Sequence, residues 1–155
     1  MRLLFPGSFD PPHLGHLDVI RRAAAVAHGG GGELLVAIAE HPEKPGWLPV
    51  ARRLALVTAL CADVPGARAV SYGGATVRFA QANGVTTLVR GLRNPLDFEH
   101  EKSMAEINRG HGFDTLFFMT AGVHAHLSSH IVRAAHAAGL PVADLVPPAV
   151  AAGLP

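Results

Sequence analysis

Five short apolar runs, each followed by a stretch in which apolar residues recur every three or four positions, restrict this chain to a narrow class of folds. The runs cover residues 2–5, 34–39, 67–71, 87–90 and 115–119. They are nearly continuous in apolar character, as strands of a parallel sheet covered on both faces must be. After the first run, Leu17, Ile20, Ala24 and Ala27 mark one face of a helix that the glycines at 29–32 end. Further helices are predicted over 49–63, 75–83, 98–109 and 128–138, with a short closing helix after Pro147 and Pro148. Pro49 supports a helix start, because its missing N–H goes unused in a first turn. Strand–helix alternation of this kind predicts an α/β doubly wound parallel sheet of five strands with helices on both faces. Its ligand crevice is then expected at the carboxyl ends of the strands.

The chain is 155 residues long, a length at which one hydrophobic core is natural and two would be thin, so one domain spanning 1–155 is expected. Hydrophobic residues make up 49% and charged residues 16%, which excludes a disordered chain, and one cysteine excludes a disulfide scaffold. Cys61 shares helical spacing with Leu54, Val57 and Val64 and is expected in the core. A net charge of +1 with scattered basic residues gives no footprint for duplex nucleic acid, so small anions are the expected ligands. Residues 1–5 are too short an apolar start for a signal peptide or a spanning helix, which points to the cytoplasm and away from a membrane.

The loop after the first predicted strand, Pro6-Gly7-Ser8-Phe9-Asp10-Pro11-Pro12-His13-Leu14-Gly15-His16, is dense in special residues. Gly7 permits close backbone approach, and the helix that follows offers unpaired N–H groups to a phosphate. His13 and His16 stand three positions apart at the start of that helix, so both imidazoles can face the same anion across Gly15. A zinc pair is disfavoured, because one cysteine and no matching ligand cluster leave the coordination incomplete. A second loop, Val89-Arg90-Gly91-Leu92-Arg93, followed by Asp97-Phe98-Glu99-His100-Glu101 and Ile107-Asn108-Arg109, carries two arginines able to fork onto phosphates. A third, Val123-His124-Ala125-His126-Leu127-Ser128-Ser129-His130-Ile131-Val132-Arg133, opens a helix with a Ser-Ser pair suited to capping and to anion binding.

The first loop resembles the His-x-Gly-His signature of the nucleotidyltransferase superfamily, and the second resembles the Arg-Gly-Leu-Arg, Asp-Phe-Glu and Asn-Arg pattern of phosphopantetheine adenylyltransferases. The third is similar to the superfamily's Ile-Ser-Ser-(Ser/Thr)-x-x-(Arg/Lys). The resemblance implies a Rossmann-like enzyme of coenzyme A biosynthesis that transfers AMP from ATP to 4′-phosphopantetheine. It implies that His16, Lys44 and Arg93 are catalytic. ATP would be bound by Ser8, Phe9, His13, His16, Gly91, Leu92, Arg93 and Glu101, and by His124, Ala125, His126, Leu127, Ser128, Ser129 and His130. The acceptor would be bound by Ser8, Lys44, Thr76 and Arg90. Mg²⁺ would enter with ATP, since the matching motifs hold no carboxylate cage, and a homo-oligomer, commonly a hexamer, is implied.

The pattern departs from the family in places. His130 replaces a hydroxyl, His124 an aromatic residue, the Lys44 loop lacks a second lysine, and residues 47–53 follow Phe-Thr-x-x-Glu-Arg only loosely, with Arg53 as the match to its end. Two other readings fit parts of the sequence. A nicotinate or nicotinamide mononucleotide adenylyltransferase would share the Asp-Pro-x-His-x-Gly-His loop, and a non-catalytic nucleotide or pantetheine binder would tolerate the two histidine replacements. Cytidylyltransferases are more remote, and the length excludes aminoacyl-tRNA synthetases.

Overall fold

The computed structural model describes residues 1–41, 43 and 46–155. In chain order the elements are β1 (Arg2–Gly7), α1 (Leu14–Gly29), β2 (Glu33–Glu40), α2 (Val50–Ala62), β3 (Ala67–Gly73), α3 (Thr76–Ala82), β4 (Thr87–Leu92), α4 (Pro95–Gly110), β5 (Asp114–Met119), α5 (Ser129–Ala137) and α6 (Pro148–Ala151). A 3₁₀ turn, Gly122–His124, lies between β5 and α5. The strands form one sheet in the order β3-β2-β1-β4-β5, and all four pairings are parallel. The expected Rossmann-like α/β fold is the one observed.

Alternation of side chains along each strand divides the core in two. Leu3 and Phe5 of β1, Leu34, Val36 and Ile38 of β2 and Val89 of β4 point to one face, where α1, α2, α5 and α6 cover them. Leu4, Leu35, Ala37 and Leu88 point to the other, against Tyr72, Ala80 and Val85. All four residues of the predicted α1 stripe, Leu17, Ile20, Ala24 and Ala27, are buried on the first face. Cys61 is buried beside Val57 and Val64, and burial pushes its thiol up to about 11.

Three helix starts differ from expectation for local reasons. Pro49 stands just outside α2, with extended backbone at φ −56° and ψ 148°, and is not its first residue. Pro148 itself opens α6. Helix α4 starts at Pro95, three residues before Phe98, because Asn94 caps it: the Asn94 side chain accepts the Asp97 N–H at 3.0 Å. No described helix is long and apolar enough to cross a membrane.

The order of strands sets the position of the site. From β1 the chain moves outward through β2 to β3, then returns to the opposite side of β1 for β4 and β5. The reversal leaves a crevice at the carboxyl ends of β1 and β4, the place where open α/β sheets bind ligands.

Candidate active site

A cavity of about 280 Å³ fills that crevice, floored by the ends of β1 and β4 and walled by α1, α4 and the start of α5. The loop leaving β1 makes its base. Phe9 has φ +46°, a left-handed conformation that a bulky residue adopts only when its surroundings enforce it. Here they do: its ring is 1% exposed, edge-on to Phe5 at 5.4 Å and 4.9 Å from the His16 ring. Phe9 thus borders the cavity while packing into the core.

His13 and His16 stack, with ring centroids 3.7 Å apart and planes inclined by 30°. The His13 backbone N–H donates to His16 Nδ1 at 3.2 Å. An imidazole that accepts at Nδ1 carries its proton at Nε2, so the tautomer of neutral His16 is fixed with a donor at the far end of the ring. Burial holds the His16 imidazole well below its ordinary range, and the neighbouring His13 and Arg93 act in the same direction. His13 is lowered to about 4 by burial, then by Arg93 and His124. Its Nδ1 is buried without a protein partner. Gly15 makes the stacking possible, since a Cβ there would stand 3.1 Å from His13 Cε1 and Nδ1 and 3.4 Å from Thr120 Cγ2.

The two arginines at the end of β4 are each held in a fork. Arg90 donates from Nε and Nη2 to the two carboxylate oxygens of Glu101, at 2.5 and 3.0 Å, and from Nη1 to the Pro6 carbonyl at 3.2 Å. Arg93 donates from its backbone N–H and Nε to Asp97 Oδ2, both at 2.9 Å, and from Nη2 to Oδ1 at 3.0 Å. Asp97 raises the Arg93 guanidinium, and Arg93 holds the Asp97 carboxyl below its ordinary range. Both cations are thereby pre-oriented at the cavity wall. Beside Arg93, whose Nη1 reaches the Leu127 carbonyl at 3.5 Å, Ser128 caps α5 by accepting the Ile131 N–H at 3.2 Å, and Ser129 donates to the Pro11 carbonyl at 2.8 Å.

Of the residues singled out in the sequence, Ser8, Phe9, His13, His16, Arg90, Gly91, Arg93, Glu101, Ser128 and Ser129 all border this one cavity. Thr76 does not. It lines an adjoining cavity of about 210 Å³ on the β2 and β3 side, with His41 and Tyr72, and Ser8 and Arg90 are common to both. Leu92 and Leu127 are buried, while His126 and His130 are exposed and border neither cavity. His124 does not line the main cavity either, yet lies close enough to His13 to lower its basicity. Lys44 lies outside the described residues. No cluster of three or more His, Cys, Asp or Glu able to hold a metal ion occurs among the described residues.

The structure adds groups that the sequence did not single out. Thr120, at the end of β5, borders the main cavity. The Ala121 N–H that begins the next loop is fixed by Asp18 Oδ2 at 3.1 Å. Asp10, Arg53 and Arg133 brace the β1 loop from behind, through contacts described below. The sequence placed Asp10 and Arg133 inside the first and third motifs and Arg53 at a family match, but nothing in it showed that the three converge.

Against known proteins, the chain is 40% identical over 151 residues to the phosphopantetheine adenylyltransferase of Corynebacterium diphtheriae, covering 96% of this chain and 92% of that protein. It is 36% identical over 156 residues to the phosphopantetheine adenylyltransferase of Prochlorococcus marinus strain NATL1A, covering 99% and 96%. The chain belongs to the phosphopantetheine adenylyltransferase family. Residues 4–135 also match the cytidylyltransferase-like family model, so the phosphopantetheine adenylyltransferase assignment sits within a wider nucleotidyltransferase group. Among solved structures, a Vibrio parahaemolyticus protein described as a nicotinate-nucleotide adenylyltransferase superposes with a TM-score of 0.70 over 99% of this chain and 90% of that one. At 19% identity that likeness concerns the fold alone.

Proposed function

We propose that this member of the phosphopantetheine adenylyltransferase family binds MgATP in the crevice between β1 and β4 and transfers its AMP to 4′-phosphopantetheine, giving dephospho-coenzyme A and pyrophosphate. The observation that carries this is the meeting of His16 Nε2–H, the Arg93 fork and the N-terminus of α5 around one cavity. These are the donors that an α-phosphorus under attack requires.

The acceptor phosphate is already ionised, so no general base is needed. One of its oxygens attacks the α-phosphorus, the bond to the bridging oxygen breaks, and pyrophosphate departs with that electron pair. Negative charge gathers on the phosphoryl oxygens, where preplaced N–H donors and cations act most strongly. In this scheme His16 donates from Nε2, and Arg93 and the α5 N-terminus hold the leaving phosphates. Arg90 stands between the two cavities, with Glu101 fixing it, and serves the acceptor together with Ser8, Thr76 and Lys44. The carboxylates beside the cavity are engaged by arginines, so Mg²⁺ is carried by ATP oxygens and water as part of the substrate.

The test is pyrophosphate release with MgATP, offering 4′-phosphopantetheine and nicotinate mononucleotide in parallel. Turnover is expected with the first. His16→Ala should retain the fold and lose activity by on the order of 10²–10³, the usual cost of one oxyanion donor. Turnover with the mononucleotide alone would move the reaction elsewhere in the superfamily, and ligand-dependent stabilisation without turnover of either would leave a binder.

Family membership also supports a homo-oligomer, with a hexamer as the expected stoichiometry, and a cytoplasmic setting. The oligomer is further supported by apolar side chains that α4 and β5 leave exposed, among them Leu96 at 72%, Ile107 at 55% and Met119 at 52%. A patch of that kind usually marks an interaction surface.

A further inference from the structure

Asp10 is only 7% exposed and borders neither the main cavity nor the adjoining one. Its carboxylate is spent on the backbone of a distant segment: Oδ2 accepts the Trp47 N–H at 2.6 Å and Oδ1 accepts the Leu48 N–H at 2.8 Å. Arg53, 5% exposed, completes the grip by donating Nε to the Leu48 carbonyl at 3.0 Å and Nη1 to the Ser8 carbonyl at 2.8 Å. From the far side Arg133 Nη1 donates to the Asp10 carbonyl at 2.6 Å. The fit is close, because a Cβ at Gly46 would lie 2.8 Å from Asp10 Oδ2 and 3.3 Å from Arg53 Cζ.

Burying a carboxylate is costly unless its oxygens are satisfied, and here backbone N–H groups 37 and 38 residues along the chain satisfy them. What is joined explains the arrangement. The β1 loop carries Ser8 and leads into His13 and His16. Arg53 joins the Leu48 carbonyl to that of Ser8, which lines both the main cavity and the adjoining one with Thr76 and Arg90. The Asp10 latch therefore fixes residues 47–48 against the loop leaving β1, directly behind Ser8.

We propose that Asp10 is a positioning residue for the acceptor: it touches no ligand, and by locking residues 47–48 to the β1 loop it sets where the acceptor sits relative to His16. This rests on assigning the β2 and β3 side of the crevice to 4′-phosphopantetheine. Misplacing a reacting group by an ångström is sufficient to slow a positioned reaction severely, so the latch is expected to act on one substrate more than the other.

Trp47 is the single tryptophan of the chain, so its emission reports the latch directly. The experiment compares Asp10→Asn, Gly46→Ala and the unaltered chain by circular dichroism, tryptophan emission and initial rates with each substrate varied. Gly46→Ala forces a side chain into the latch without altering Asp10, and serves if Asp10→Asn fails to fold. Expected are a native dichroism spectrum, a red-shifted Trp47 emission, a KM for 4′-phosphopantetheine raised on the order of tenfold, and a KM for ATP changed by less than about threefold. A red shift with unchanged or equally raised KM values would reduce Asp10 to a purely structural brace and overturn the role. An unshifted emission would deny the latch. Absence of turnover by the unaltered chain would take down the reaction and this role together, whereas normal turnover with an unselective KM change would remove this role alone.

Discussion

His13 and His16 are held neutral, which decides what they can offer a phosphate and how the protein responds to acid. A neutral imidazole whose Nδ1 is occupied donates one directed hydrogen bond from Nε2 and needs no counter-charge when the site is empty. The same neutrality has a thermodynamic cost at low pH. In the unfolded chain a histidine takes up its proton near 6.5, while in the fold His13 does so only at about 4. Below 6.5 the unfolded state therefore binds the extra proton, and stability falls as pH drops from 6.5 to 4, by up to about 3 kcal/mol for His13. Urea unfolding at pH 7 and pH 4.5 should show the midpoint dropping in the unaltered chain and dropping less in His13→Asn; parallel curves would refute the assignment. The sequence was informative here, since His-x-x-His at a helix start places both rings on one side. It could not reveal the stacking or the orphan Nδ1, set within packing that brings Phe9 against His16 and Thr120 against Gly15, or the tautomer fixed by the His13 N–H. Asp10 was less legible still: its partners Trp47, Leu48 and Arg133 lie 37, 38 and 123 residues away, beyond any local pattern.

Among the elements, α5 shows how one feature serves stability and binding together. Ser128 caps it, and its first turn opens on the cavity. Ser128→Ala should cost about 1 kcal/mol of stability, the usual price of a lost N-cap, and should raise the KM for ATP several-fold as the first turn frays. Urea denaturation and initial-rate kinetics measure the two effects separately, and a stability loss with an unchanged KM would leave the serine as a cap alone. The central strands β1, β2 and β4 were legible because strands buried on both faces write continuous apolar runs, and all five strands appear where such runs fall although β3 and β5 are only partly buried. Helix α4 was found but started late. Its apolar spacing begins near Phe98, while its true beginning is signalled by Asn94 and Pro95, a cap and a proline at the first position. That helix has no buried residue, so periodicity had little burial to report.

At the scale of the whole molecule, the same α4 and the outer strand β5 bear the apolar surface that one copy leaves uncovered. Sedimentation velocity should find an oligomer, and Met119→Asp or Ile107→Asp should shift it toward smaller species while preserving the dichroism spectrum. A monomer at micromolar concentration would contradict the assembly. The fold class and the edge of the sheet bearing the candidate site followed from strand–helix alternation, whereas the exposed apolar face did not, because exposed apolar residues on an amphipathic helix look like core in a sequence.

The placement of β1 at the centre of the sheet has one more consequence. Connections leaving β4 and β5 border the main crevice, and those leaving β2 and β3 border the adjoining hollow, so the two partners of a transfer would arrive from opposite flanks of a single strand tip. Such an enzyme can be re-addressed: exchanging the connections on one flank alters which molecule is received there, while the phosphate-handling flank keeps its sequence and its chemistry.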